Sequence, residues 1–86
     1  METLEEIRER IDKVDERMAE LFAERIALAI QAAKFKRANG LPAEDPEREA
    51  QILEKHGKKF DGEALEDYIR FQKTVIEISR GAQRRK

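Results

Sequence analysis

There is no cysteine in this chain, no tryptophan, and a single histidine, His56. Without thiols there are no disulfides and no thiolate metal sites. One histidine cannot build a zinc site alone, and a histidine-based triad is excluded with it. Prolines number two and glycines four, so the chain has little punctuation. No apolar run approaches the ~18 residues that a membrane span requires. Residues 1–15 alternate charged and apolar side chains and show no signal-peptide core. An excess of one charge sign is missing too: 18 Lys+Arg stand against 19 Asp+Glu. That balance argues against charge-driven disorder and against a generic nucleic-acid binder. The expectation is a cytoplasmic protein with no membrane or nucleic-acid partner.

What is present is helical. The 86 residues make one domain at most, residues 1–86. Charged residues are 43% of the chain, and eleven of its apolar residues are alanine. The core available to a single copy is therefore thin. Breaks fall at Gly40-Leu41-Pro42 with Asp45-Pro46, and again from Gly57 to Gly62. Between them the apolar period is helical, which predicts three helices over about 2–39, 46–57 and 63–82.

Helix 1 has the clearest pattern. Leu4, Ile7, Ile11, Val14, Met18, Leu21, Arg25, Leu28, Ala32 and Phe35 alternate spacings of three and four. This is a heptad seam interrupted only by Arg25. A helix of that length spans ~55 Å, whereas a compact globule of this size has a radius of gyration of ~12 Å. The N-terminal half must project, still carrying its seam. A second copy is the natural cover. The expected fold is an all-α, three-helix chain in an intertwined homodimeric bundle.

Each helix also sets polar groups where core residues belong. Arg25 and Lys36 share nearly one azimuth with Ala29 and Ala32 between them, a trough with positive ends. A plainer reading is that the alanines permit close packing, Arg25 fixes register and Lys36 favours the helix end. Asp45 with Pro46 is a well-formed helix start. Arg48 beside it opposes the helix dipole and so asks for another explanation. Ser79 and Gln83 lie one turn apart on the inner side of helix 3, where a fraying end is the simple alternative. His56 reads as an ordinary helix end, Tyr68 as a core residue, and Arg84-Arg85-Lys86 as a solvated tail.

The ordered set Leu4-x-x-Ile7-Arg8-x-x-Ile11-x-x-Val14-Asp15, Leu21-x-x-Glu24-Arg25, Lys36 and Asp45-Pro46-Glu47-Arg48-Glu49 resembles the all-helical chorismate mutases. Ser79 and Gln83 complete the resemblance, which covers nearly the whole chain. It implies an intertwined homodimer with two shared sites, and the rearrangement of chorismate to prephenate. That reaction is an intramolecular pericyclic shift needing no metal and no cofactor. By resemblance, Arg25 would bind one substrate carboxylate, and Arg8 would reach a carboxylate from the other chain. Lys36 and Gln83 would donate to the ether oxygen. Glu49 would accept from the substrate hydroxyl, Arg48 and Asp45 would shape that end, and Ser79 would bond near a carboxylate. The expectation is a stand-alone form, with no dehydratase, dehydrogenase or regulatory domain attached. Gly81 weakens the last turn by about 1 kcal/mol relative to alanine. Gln83 is therefore expected to be loosely held without ligand. Two rival readings are an isochorismate-pyruvate lyase of the same fold and a non-enzymatic dimerisation module. Asp45 and Glu49 favour the mutase over the lyase, and the inward polar residues favour an enzyme over a module.

Overall fold

The computed structural model describes residues 1–85, and Lys86 lies outside them. Three helices follow in order: α1 (Leu4–Ala38), α2 (Pro46–Gly57) and α3 (Gly62–Arg85). No strand interrupts them among the described residues.

Helix α1 starts at Leu4, the first residue of its apolar seam and two residues later than the expected boundary, because Thr3 caps it. The Thr3 hydroxyl accepts from the Glu6 backbone N–H at 3.1 Å. Thr3 with Glu6 has the spacing of a capping box, a signal legible in the sequence. At the far end Asn39 closes the helix, and Gly40 takes φ +65°, a left-handed turn that glycine adopts without strain. The chain measures 57 Å along its longest axis and has a radius of gyration of 16.3 Å. It is thus far more extended than a globule of its length, as the projecting half of α1 requires. Every residue from 1 to 20 is exposed.

Helix α3 packs against both α1 and α2. Its buried side is short, made of Ile76, Ser79 and Ala82, and on α1 the buried residue is Ala33. The loop from α2 folds tightly onto α3. A side chain at Gly57 would meet Leu65 at 3.2 Å, and Phe60 stacks on Tyr68 with ring centroids 4.9 Å apart.

The end of α3 departs from the sequence-based expectation. The helix runs on through Gly81 to Arg85 instead of ending near residue 82. Ala82 is 2% exposed, and Gln83 bonds across to α1. Tertiary contacts outweigh the weak propensity of one glycine, as they commonly do. Arg84 and Arg85 are accordingly helical and exposed, and Arg84 lies 3.8 Å from Glu44.

Candidate functional site

On α1, Arg25, Ala29, Ala32 and Lys36 are spaced four, three and four, so they share one face. The two alanines form a low floor between two long cations. On α3, Ile76, Ser79, Arg80 and Gln83 likewise share a face, which meets the first. On α2, the Asp45 side chain accepts from the Arg48 backbone N–H at 3.0 Å, and Pro46 fills the first turn. That cap sets where Arg48 and Glu49 leave the helix. The three faces enclose a cavity of about 320 Å³. This falls within the range of small-molecule sites, ~300–1,000 Å³.

Seven of the eight polar residues singled out in the sequence line this cavity: Arg25, Lys36, Asp45, Arg48, Glu49, Ser79 and Gln83. Arg8 does not. It sits on the exposed, projecting half of α1, 17 residues before Arg25 and so ~26 Å away along the axis.

The hydrogen bonds show how the donors are held. Arg25 Nη1 donates to Ser79 Oγ at 2.6 Å, and Ser79 Oγ donates to the Val75 carbonyl at 2.8 Å. Ser79 is 6% exposed. With its proton on Val75, Ser79 acts here as an acceptor that aims Arg25. Lys36 Nζ donates to the Ala43 carbonyl at 3.2 Å. Gln83 Nε2 donates to the Ala29 carbonyl at 2.9 Å. This bond ties the end of α3 to α1.

All three of these partners are neutral. Among the described residues, no carboxylate forms an ion pair with Arg25, Lys36 or Arg48. Two cations with neutral partners, converging on a concave surface, leave positive charge that an anion can complement. No cluster of potential metal ligands occurs among the described residues.

Two charged lining residues, Glu44 and Arg80, were missed by the sequence reading. Arg80 reaches from α3 to Glu49 of α2, its Nε donating to Glu49 Oε2 at 3.0 Å while Nη2 pairs with Oε1. The available signal was its spacing, four residues after Ile76 and three before Gln83. A charged residue beside an apolar stripe is ordinarily solvated, and so it passed unnoticed.

The fold and the cavity define a small helical domain with an anion-complementary site. A family profile described as chorismate mutase type II matches residues 7–84, and the chain belongs to that family. Among curated relatives, the T-protein of Haemophilus influenzae is 37% identical over 75 residues, 81% of this chain and 20% of that protein. The chorismate mutase of Methanocaldococcus jannaschii is 44% identical over 55 residues, 64% of this chain and 56% of that protein. A bifunctional chorismate mutase/prephenate dehydratase of Aquifex aeolicus is 40% identical over 73 residues, 76% of this chain and 20% of that protein. The chain thus spans from a fifth to just over half of the length of these relatives. No solved structure gave a significant match.

Proposed function

We propose that this chain, as a single domain over residues 1–86, is a chorismate mutase that converts chorismate to prephenate. The observation that carries the reading is the pair Arg25 and Lys36, both lining one small-molecule-sized cavity and both, among the described residues, bonded to neutral groups only. Chorismate is a dianion, and its carboxylates supply the missing charge. Its rearrangement breaks an ether C–O bond as a C–C bond forms within the same molecule. No nucleophile or proton carrier is required. The protein has to hold a compact, chair-like conformer and stabilise the oxygen as negative charge develops.

The roles follow from side-chain chemistry. Arg25, aimed by Ser79, clamps a carboxylate through its planar fork. Lys36 and Gln83 exchange their present carbonyl partners for the ether oxygen and donate to it as it charges. Glu49 accepts from the substrate hydroxyl, while Asp45 and Arg48 shape that end of the cavity.

The working form is a homodimer. In one protomer the seam lies open: Leu4, Ile11, Val14, Met18 and Leu21 are each between 47% and 60% exposed. No large side chain is fully buried among the described residues. A second copy laid along α1 covers that seam. The same arrangement brings the partner's copy of residue 8 to the cavity, and so supplies a further arginine. Location in the cytoplasm fits this reading. No helix among the described residues is long and apolar enough to cross a membrane.

Incubation with chorismate followed by product analysis tests the reading. Prephenate, an isomer of identical mass, is the expected product. Release of pyruvate from isochorismate, with chorismate untouched, would instead identify a lyase. Inertness toward both would leave a dimerisation module.

A further inference from the structure

The pair Arg80–Glu49 is the only ion pair at the cavity wall with both oxygens of the carboxylate engaged among the described residues. It joins α3 to α2 across 31 residues of chain. Its side chains are 37% and 24% exposed, so it is better shielded than the other ion pairs, which lie at the surface. The pair also borders a neighbouring groove lined by Leu53, Lys73 and Glu77. It therefore forms part of the partition between that groove and the cavity.

Glu49 poses a problem for the proposed reaction. A carboxylate in a site for a dianion repels the ligand, yet its acceptor capacity is wanted at the hydroxyl. A guanidinium fork resolves both demands. It cancels the charge, and it takes one lone pair on each oxygen while two remain. It also fixes the plane of a side chain that otherwise turns about three bonds. The fork is occupied by Glu49, so Arg80 is not a free clamp for substrate as Arg25 is.

We infer that Arg80 is a positioning residue. By holding Glu49 in a bidentate ion pair, it lets that carboxylate accept from the hydroxyl of a dianionic substrate without repelling it. The inference rests on the chorismate mutase reading and adds a residue to it.

A double-mutant cycle in the full chain tests it, with kcat and KM for chorismate measured separately and helical circular dichroism and thermal unfolding as folding controls. Arg80→Met with Glu49 intact is expected to lose on the order of 10- to 100-fold in kcat/KM, the scale of a misplaced binding group, with KM raised by the exposed charge. In a Glu49→Gln background the same Arg80→Met change is expected to cost less than about twofold, because no charge remains to cancel. Arg80→Lys keeps the charge but lacks the fork, and is expected to restore much of KM while recovering little of kcat. If Arg80→Met proves unfolded, the lysine variant carries the cycle alone. Equal losses in both backgrounds would show that Arg80 acts independently of Glu49 and would overturn the inference, as would full activity in Arg80→Lys. Wild-type protein inert toward chorismate would instead remove the functional reading itself, before any variant is compared.

Discussion

Arg25 and Ser79 are 54 residues apart in sequence, and their side chains meet at 2.6 Å. The serine hydroxyl is turned back onto Val75 of its own helix, so the arginine meets a lone pair, not a proton. A small buried hydroxyl thus sets the direction of a cation that has no carboxylate partner among the described residues.

Removing that hydroxyl tests the arrangement. Ser79→Ala leaves the Val75 carbonyl in its helix but deprives Arg25 of its acceptor. Hydrogen bonds to charged groups contribute enough that a rise in KM of about tenfold is expected, with a smaller change in kcat and unchanged helical content. An unaltered KM would mean that Arg25 is held by the rest of the cavity.

Gln83 makes a different test possible. An amide donates at any ordinary pH, whereas a carboxyl donates only when protonated. Unperturbed glutamic acid titrates near pH 4.3. Gln83→Glu is therefore expected to be active in acid and to lose activity as pH rises through the range where the carboxyl ionises. Circular dichroism across the same range separates this from unfolding. A flat activity profile from pH 4 to 8 would remove Gln83 from the ether oxygen.

Asp45 combines a cap with a place at the cavity, and two variants separate the roles. Asp45→Ala loses the bond to the Arg48 backbone and should cost about 1 kcal/mol. In a domain of this size that lowers the unfolding midpoint by ~4–8 °C. Asp45→Asn keeps the cap and should keep the midpoint, while changing the charge beside Arg48. A midpoint lowered equally in both variants would contradict the assignment of Asp45 as a cap.

The sharing of sites between copies can be tested by complementation. Arg8→Ala and Lys36→Ala should each be nearly inactive alone. Unfolded together and refolded, they should form mixed dimers in which one site carries both lesions and the other neither. Random pairing then restores about a quarter of wild-type activity. A mixture no more active than its parents, with subunit exchange verified, would confine Arg8 to its own chain or to the fold.

How much of this was legible in the sequence depended on the range of the interaction. The alternation from Leu4 to Phe35 and the Asp45-Pro46 start are local signals, and α1 and α2 follow them closely. The end of α3 was misread because Gly81 was weighed by propensity alone. What extends the helix is the contact of Ala82 and Gln83 with α1, which no local pattern reports. Seven cavity residues were found by their inward spacing together with the family resemblance. Arg80 was not, since its significance lies in Glu49, on another helix. Nor did the sequence indicate that Ser79, Ala43 and Ala29 would supply the neutral partners that hold Arg25, Lys36 and Gln83 in place.

The account stands most directly on Lys36, the cation that donates to the Ala43 carbonyl in the structure and to the ether oxygen in the proposed reaction. The decisive measurement is the rate of chorismate disappearance in the ultraviolet for wild type and Lys36→Ala, side by side. Loss of one preorganised donor of this kind costs on the order of 10²–10³ in turnover. The expected result is rapid conversion by wild type and a kcat at least a hundredfold lower in Lys36→Ala, with the helical spectrum intact. Comparable turnover in the two proteins would contradict electrostatic stabilisation by Lys36, and with it the central reading of the cavity.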